Sequence, residues 1–458
     1  MISASVMPGH SPSKTGVNTL LPGHPRLRIN KKDVDGRHKA TAVRYVLCLK
    51  KRTALILLAS RRFRNVWTRK RINTVRHQNS VFRDLLKVIP WSQFDRLVDE
   101  HGSDDLVRKF TTRHQLIALL YGQVAGAGSL REIEATMASH QRRLYHVGGR
   151  VPRRSTFADA NRSRTPLVFS GLFQHMLGMA TRAVRRKMGD VVLLVDSTSL
   201  HLAGIGTQWA RFSAEVCGAK AHVVYDPDLG HPVYHAVSAA NVNDITPAKQ
   251  MPIEPGATYV FDLGYYDYGW WAELDQADCR IVTRFRTNTP LLNARDTPRD
   301  PGSEVLSDRI GFLPARQAKS RKNPMQVAVR EVVVMTETGK RLRILTNDLD
   351  APAQEIADLY KRRWLIELFF RMMKQMLRIT RFLGRSENAV RIQIAVALIA
   401  FLILHLLHKI TQAKHGFLEF VRLVRANIMH RKDVTRLREN LPSPPIDSRQ
   451  LTLDWRYT

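Results

Sequence analysis

The chain has few cysteines, few acids and no long apolar run, and each shortage closes off a class of protein. Cys48, Cys217 and Cys279 are the only cysteines in 458 residues and form no CxxC pair. That supports neither a disulfide framework nor a zinc finger, and a reducing compartment is expected. The most apolar run, Ile394 to Leu404, has 11 residues and is followed by His405, His408 and Lys409. It is too short to span a bilayer and reads as a buried helix. The short apolar piece from Thr53 to Ala59 lies too deep, and ends in Arg61 and Arg62, for a secretory signal. There is no phosphate-binding P-loop, so nucleotide hydrolysis is not expected. Acidic side chains number 40 against 72 basic ones, a net charge of +32, which predicts a polyanionic partner. The first 74 residues hold 17 of the bases and 2 of the acids, so the rest is basic without them.

What is present suits a folded protein. Apolar residues at 44% and charged residues at 24% exclude wholesale disorder, collagen-like repeats and coiled-coil rods. The length suffices for about three domains. Residues 1–74 have no sustained apolar period and read as a basic, mostly disordered tail with a short helix near 52–63. Ordered patterning starts at Val75, where a valine suits an initiating GTG codon, so the tail is either disordered or a mis-assigned start. Peptides from before Arg76 in the native protein would exclude the second.

From Ser80 to about Ala183 the pattern is helical, with Ser129 and Glu132 at capping-box spacing. After Gly148, Gly149 and Pro152, the stretch RRSTFADANRSR predicts a helix capped by Ser155 or Thr156 behind Arg153 and Arg154. Such a start either meets a phosphate backbone or is simply solvated. After Gly189 strands take over: VVLLVDSTSL, then AKAHVVYD and HPVYHAVSAA as a hairpin across DPDLG, a short helix to Lys249, ATYVFDLG, a helix over YDYGWWAELDQAD, and CRIVTRFR. Residues 287–350 are turn-rich with a hairpin. A long helix is predicted from about Ala353 to Arg378 and an apolar one from about Glu387 to Thr411, with a C-terminal helix and loose tail over 412–458.

Asp196 follows the apolar run Val191 to Val195, and Asp262 follows TYVF and precedes Gly264. Each is either a carboxylate presented at the end of a central strand or a loop-entry cap. On the long helix Tyr360, Arg363, Glu367, Arg371 and Lys374 fall within an arc of about 80° at 3.6 residues per turn. Leu365, Ile366, Leu368, Phe369, Met372 and Met373 cover much of the remaining circumference, so the helix is expected to be buried around most of its girth. The alternative is an exposed stripe with Glu367 and Arg371 as an ordinary pair. Three carboxylates brought into one cleft ionise together around divalent metal. Oxygen donors favour Mg²⁺, and two ions about 4 Å apart would drive an in-line phosphoryl displacement. Arg363 and Lys374 are placed to hold phosphates, and Arg371 shares their stripe. The histidines 201, 222, 231 and 235 lack a ligand spacing, Gly204 and Gly206 are two of the three glycines of a dinucleotide loop, and Asn243 and Asp244 either lie near the metal site or, as adequately, cap the short helix.

Tyr360, Arg363, Glu367 and Lys374 match the Y-(2)-R-(3)-E-(6)-K signature of the insertion sequence 4 family of DDE transposases, and VDSTSL and VFDLGYYDY resemble that family's two aspartate motifs. The resemblance spans about Asn79 to Thr411. It implies an α/β fold with a ribonuclease H-like mixed-sheet catalytic core over 189–411, a strand-rich insertion over 287–350, and an all-helical domain over 79–183 that recognises element ends. It further implies that Asp196, Asp262 and Glu367 bind two Mg²⁺ or Mn²⁺ ions, and that Tyr360, Arg363 and Lys374 contact the DNA end. Cut-and-paste transposition by a homodimer on double-stranded DNA, at terminal inverted repeats and target, follows, in the bacterial cytoplasm with the nucleoid and away from membranes. One departure is that no Trp lies between Trp271 and Trp364, where some relatives stack one on a flipped base; Phe285 and Phe312 are the flat rings available. Two rivals remain at this stage: a nuclease that cleaves without joining, and a DNA-binding copy without catalysis.

Overall fold

The computed structural model describes residues 80–185, 191–202, 208–210, 217–298, 304–318, 320–336, 338–376, 382–413, 415–431 and 434–437. The basic tail over 1–74, Gly204 and Gly206, and the residues from 438 onward lie outside these.

The helical segment follows its caps. It comprises α1 (Val81–Leu86), α2 (Trp91–Glu100), α3 (Thr112–Ala125), α4 (Leu130–Ser139), α5 (Gln141–Leu144), α6 (Arg154–Ser163) and α7 (Leu167–Arg185). Ser80 and Ser129 each accept an amide hydrogen bond from the third residue on, and Gly126, at φ +77°, ends α3 in the left-handed conformation that suits glycine. The Glu132 carboxylate takes the Gly128 amide at 2.7 Å, so only half of the expected box forms. α6 departs from expectation. It begins at Arg154 with no side-chain cap from Ser155 or Thr156, and Glu134 Oε2 accepts the Arg154 amide at 3.2 Å. The carboxylate already serves the exposed amide and the dipole there.

Eleven strands follow among the described residues. β1 (Val192–Leu202), β2 (Cys217–Asp226) and β3 (His231–Ala239) form an antiparallel meander. The short α8 (Ile245–Ala248), β4 (Thr258–Phe261), α9 (Tyr268–Gln276) and β5 (Arg280–Arg284) come next, with β4 parallel to both β1 and β5. This order, β3-β2-β1-β4-β5 with three strands antiparallel and two parallel to the first, is the ribonuclease H-like arrangement. The 287–350 stretch adds β6 (Leu292–Asp296), β7 (Val305–Phe312), β8 (Arg316–Ala318), β9 (Arg321–Lys322), β10 (Val329–Met335) and β11 (Arg341–Thr346). β8 and β9 pair on their own, while β11 pairs with β5 so that the remainder extend the core into one nine-stranded sheet.

Strand alternation divides the packing between two faces. Leu193, Val195, Tyr259, Phe261 and Ile281 meet Tyr265, Trp270 and Trp271 on one side. Leu194, Val260 and Val282 face Ile356, Ile366 and Phe369 on the other. Trp270, Trp271 and Leu274 of α9 are fully buried, each contributing on the order of 2 kcal/mol through removal from water.

The predicted long helix is two: α10 (Ala353–Arg362) and α11 (Trp364–Met376), separated by a turn at Arg363 whose amide donates to the Tyr360 carbonyl at 3.1 Å. Arg362 is tied to Asp228 in the β2–β3 turn at 2.7 Å, which anchors this junction. α11 buries one stripe, Ile366, Phe369, Phe370 and Met373, whereas Trp364 and Leu365 are 44% and 38% exposed. It is an ordinary amphipathic helix and not one buried around its girth.

α12 (Glu387–Thr411) starts at the predicted residue, with Ser386 accepting the Ala389 amide, and α13 (Phe417–Ala426) follows. Among the described residues α12 is the one helix long and apolar enough to cross a membrane, and 83% of its most apolar window is buried inside the protein. It packs against α3, α6, α7 and α13, so the helical segment and the sheet share one continuous core. His405 Nε2 and Lys409 Nζ both meet the Leu229 carbonyl, at 3.1 and 2.5 Å, which fastens α12 to the β2–β3 turn.

Candidate active site

The parallel strands β1, β4 and β5 bring polar residues to neighbouring positions beyond their apolar cores. Val195 pairs with Phe261 and Phe261 with Thr283, so Asp196, Asp262 and Arg284 follow one another across the sheet. Gly264 permits the close turn after β4: its amide donates to Asp262 Oδ1 at 2.8 Å. A Cβ there would lie 3.0 Å from Asp262 Oδ1 and 3.4 Å from Asp244 Oδ2, so any larger residue would press on two carboxylates.

The α10–α11 junction supplies the rest. Arg363 Nη2 meets Glu367 Oε1 at 2.6 Å, and its Nη1 lies 3.9 Å from Asp196 Oδ2. The guanidinium also stands 5.7 Å from the centre of the Tyr360 ring. Burial, with the charges of Asp262 and Glu367, pushes the Asp196 carboxyl up to about 7 against the pull of the Ser197 amide and Arg363. Burial raises the Tyr360 hydroxyl as well, with Asp262 adding to it and Arg363 and Arg284 opposing. Burial works against the Arg363 charge, yet Tyr360, Glu367 and Asp196 hold its pKa above the ordinary value.

The structure thus brings together Asp196, Asp262, Tyr360, Arg363 and Glu367. Lys374 lies two turns beyond Glu367, half-buried, with burial lowering its pKa. Arg371 is exposed, its guanidinium 5.4 Å from the Trp364 ring. Arg153 and Arg154 are exposed at the start of α6, and no described contact joins their side chains to the acidic cluster. Phe285 is fully buried under the Arg343 guanidinium and is closed to a base, while Phe312 is 42% exposed.

Among the described residues no group of three or more acidic, histidine or cysteine side chains is already drawn together tightly enough to clasp an ion; Arg363 stands between Asp196 and Glu367. The donors are nonetheless all carboxylate oxygens, and Asp196, raised first by burial and then by the charges of Asp262 and Glu367, is a carboxylate whose ionised form a hard divalent cation would stabilise. The residues fit such an ion.

Sequence reasoning missed one neighbour, Arg284, and set another, Asp244, down chiefly as a cap. Arg284 was legible by counting, since TYVF and RIVT are each four residues followed by a polar one at the same level of the sheet. Asp244 was assigned to capping, yet it makes no side-chain cap bond. Its Oδ1 accepts from Ser197 Oγ at 3.0 Å and Lys220 Nζ at 2.9 Å. The signal was Asn243, which already serves the Ile245 amide at 3.3 Å and makes a second cap redundant.

Comparison with known proteins gives a consistent set of likenesses. The family model described as Transposase DDE domain matches residues 187–403, and that of a domain of unknown function (DUF4372) matches 77–150. A protein of Sinorhizobium fredii named "Putative transposase y4zB" is 36% identical over 298 residues, 64% of this chain and 82% of its own. The "Probable transposase for insertion sequence element IS5377" of Geobacillus stearothermophilus is 29% identical over 263 residues, 56% of this chain and 68% of its own. Among solved structures, a piggyBac transposase synaptic complex with hairpin DNA aligns at a TM-score of 0.40 and 11% identity, over 80% of this chain and 81% of that one.

Proposed function

This chain belongs to the transposases that carry a DDE domain, and we propose that it moves an insertion sequence by a cut-and-paste route, with Asp196, Asp262 and Glu367 as the acidic triad. As a DDE transposase it binds DNA and cleaves and rejoins strands with the aid of divalent metal. The observation that supports the residue assignment is the reach of Arg363 to both Glu367 on the helix and Asp196 at a strand end, with the charge of Asp262 also felt at Asp196.

Asp196, Asp262 and Glu367 hold two Mg²⁺ or Mn²⁺ ions in this reading. The chemistry such ions supply is activation of an attacking water or 3′ hydroxyl and stabilisation of the leaving 3′ oxygen. Arg363 presents a planar fork suited to a phosphate, and Tyr360 limits where that fork can swing. Lys374 and Arg371 continue along α11 toward the flanking DNA. Arg153 and Arg154 meet the backbone through their side chains, since Glu134 occupies the end of their helix. Residues 79–183 recognise the element ends, and a homodimer holds two ends at once. The net charge of +32 supports a binding affinity dominated by phosphate contacts.

The test incubates purified protein with DNA bearing the inverted repeats that flank its gene, with Mg²⁺ or EDTA, beside Glu367→Gln. Joined donor–target products that vanish with EDTA and with Glu367→Gln are expected. Cleavage without joining would replace the proposal with a nuclease, and binding without cleavage would leave a DNA-binding protein.

A further inference from the structure

Asp244 lies outside the triad, yet it reaches the same strand ends from the opposite face of the sheet. Ser197 alternates with Asp196, so its side chain points with Val195 toward the face that carries Tyr265 and Trp270. His222 pairs with Ser197 and Lys220 with Ser199 across β1 and β2, which puts all four side chains on that face. There Asp244 Oδ1 accepts from both Ser197 Oγ and Lys220 Nζ, with Lys220 also donating to the Val242 carbonyl at 3.1 Å. The Ser197 amide, in turn, donates to Asp196 Oδ1 at 2.7 Å.

We propose that Lys220, Asp244 and Ser197 form a bracket that positions Asp196. The hydroxyl end of Ser197 is tied to Asp244, so its backbone amide stays aimed at the Asp196 carboxylate and the other oxygen is left to the cleft, 3.9 Å from Arg363. Lys220 has a second purpose. Asp244 borders Gly264 beside Asp262, and the ammonium offsets the additional negative charge that this places at the strand ends. Asp244 is therefore a positioning residue, acting through Ser197, and the inference rests on the acidic-triad reading.

The experiment measures Mn²⁺ binding calorimetrically on the whole protein, together with strand transfer and retention of element-end DNA. Ser197→Ala and Asp244→Ala are each expected to weaken Mn²⁺ binding and slow strand transfer by about ten- to a hundredfold. The double variant should be no worse than Asp244→Ala, Ser197→Thr should behave as wild type, and DNA retention should not change. Unaltered Mn²⁺ binding in Ser197→Ala, or additive losses in the double variant, would overturn the bracket. So would a loss of DNA retention that matches the loss of metal. Glu367→Gln separates the two levels: if it binds Mn²⁺ as wild type does, the triad reading fails and the bracket falls with it. If Glu367→Gln loses Mn²⁺ while Ser197→Ala keeps it, only the bracket fails.

Discussion

Replacing Asp196 with asparagine should abolish strand transfer and yet stabilise the metal-free protein. The carboxyl rises from 3.8 to about 7 on folding, with burial the largest cause. A folded-state value above the unfolded one means that the folded chain binds the proton more tightly. The contribution to stability is therefore fully present below pH 3.8 and is lost as pH rises through about 7. A rise from 3.8 to about 7 sets the loss at about 4 kcal/mol at most. Asparagine keeps an oxygen for the Ser197 amide, now 2.7 Å from Asp196 Oδ1, and removes the charge. Denaturant unfolding in EDTA at pH 8 should show Asp196→Asn more stable than wild type, and the gap should close toward pH 4. Added Mn²⁺ should then raise the wild type by mass action and leave the variant unmoved. A variant no more stable than wild type at pH 8 would refute the reasoning, because Asp196 would not be paying for its burial in the cleft.

Two further outcomes follow from the same geometry. Gly264→Ala should cut strand transfer at least tenfold while shifting stability by about 1 kcal/mol or less, because its Cβ meets the Asp262 and Asp244 carboxylates at 3.0 and 3.4 Å rather than the core; paired activity and unfolding measurements check this. Arg371→Ala should weaken element-end binding and lower the slope of log affinity against log salt by about one, as measured by fluorescence anisotropy over a salt series.

What could be read in advance was what local chemistry decides. Val191 to Val195, TYVF and RIVT are short apolar runs closed by polar residues, and each became a strand of the core sheet. The apolar run Ile394 to Leu404 marked a buried helix, and α12 starts at the residue expected for it. What could not be read depends on distant partners. The turn at Arg363 interrupts good helix-forming sequence where Arg362 is drawn to Asp228. Leu365 reads as part of a buried girth, yet it is exposed, as is Trp364, because α11 meets β1 along one stripe. Asp244 reads as a cap until Ser197, 47 positions away, and Lys220, 24 away, are brought to it by the register of β1 and β2. Helical spacing and strand ends led to expecting Glu367 near Asp196, and Arg363 lies within reach of both despite the broken helix.

The burial of α12 bears on how such a protein can change its target. Because α3, α6 and α7 cover that helix, detaching the amino-terminal helices would strip the apolar flank of Glu387–Thr411 and invite aggregation. With the element ends assigned to those helices, as proposed above, their recognition could not be exchanged as a ready-made cassette. New specificity has to arise by substitution on the outer surface of those helices, one side chain at a time, while their inner surface stays committed to holding the catalytic sheet in place.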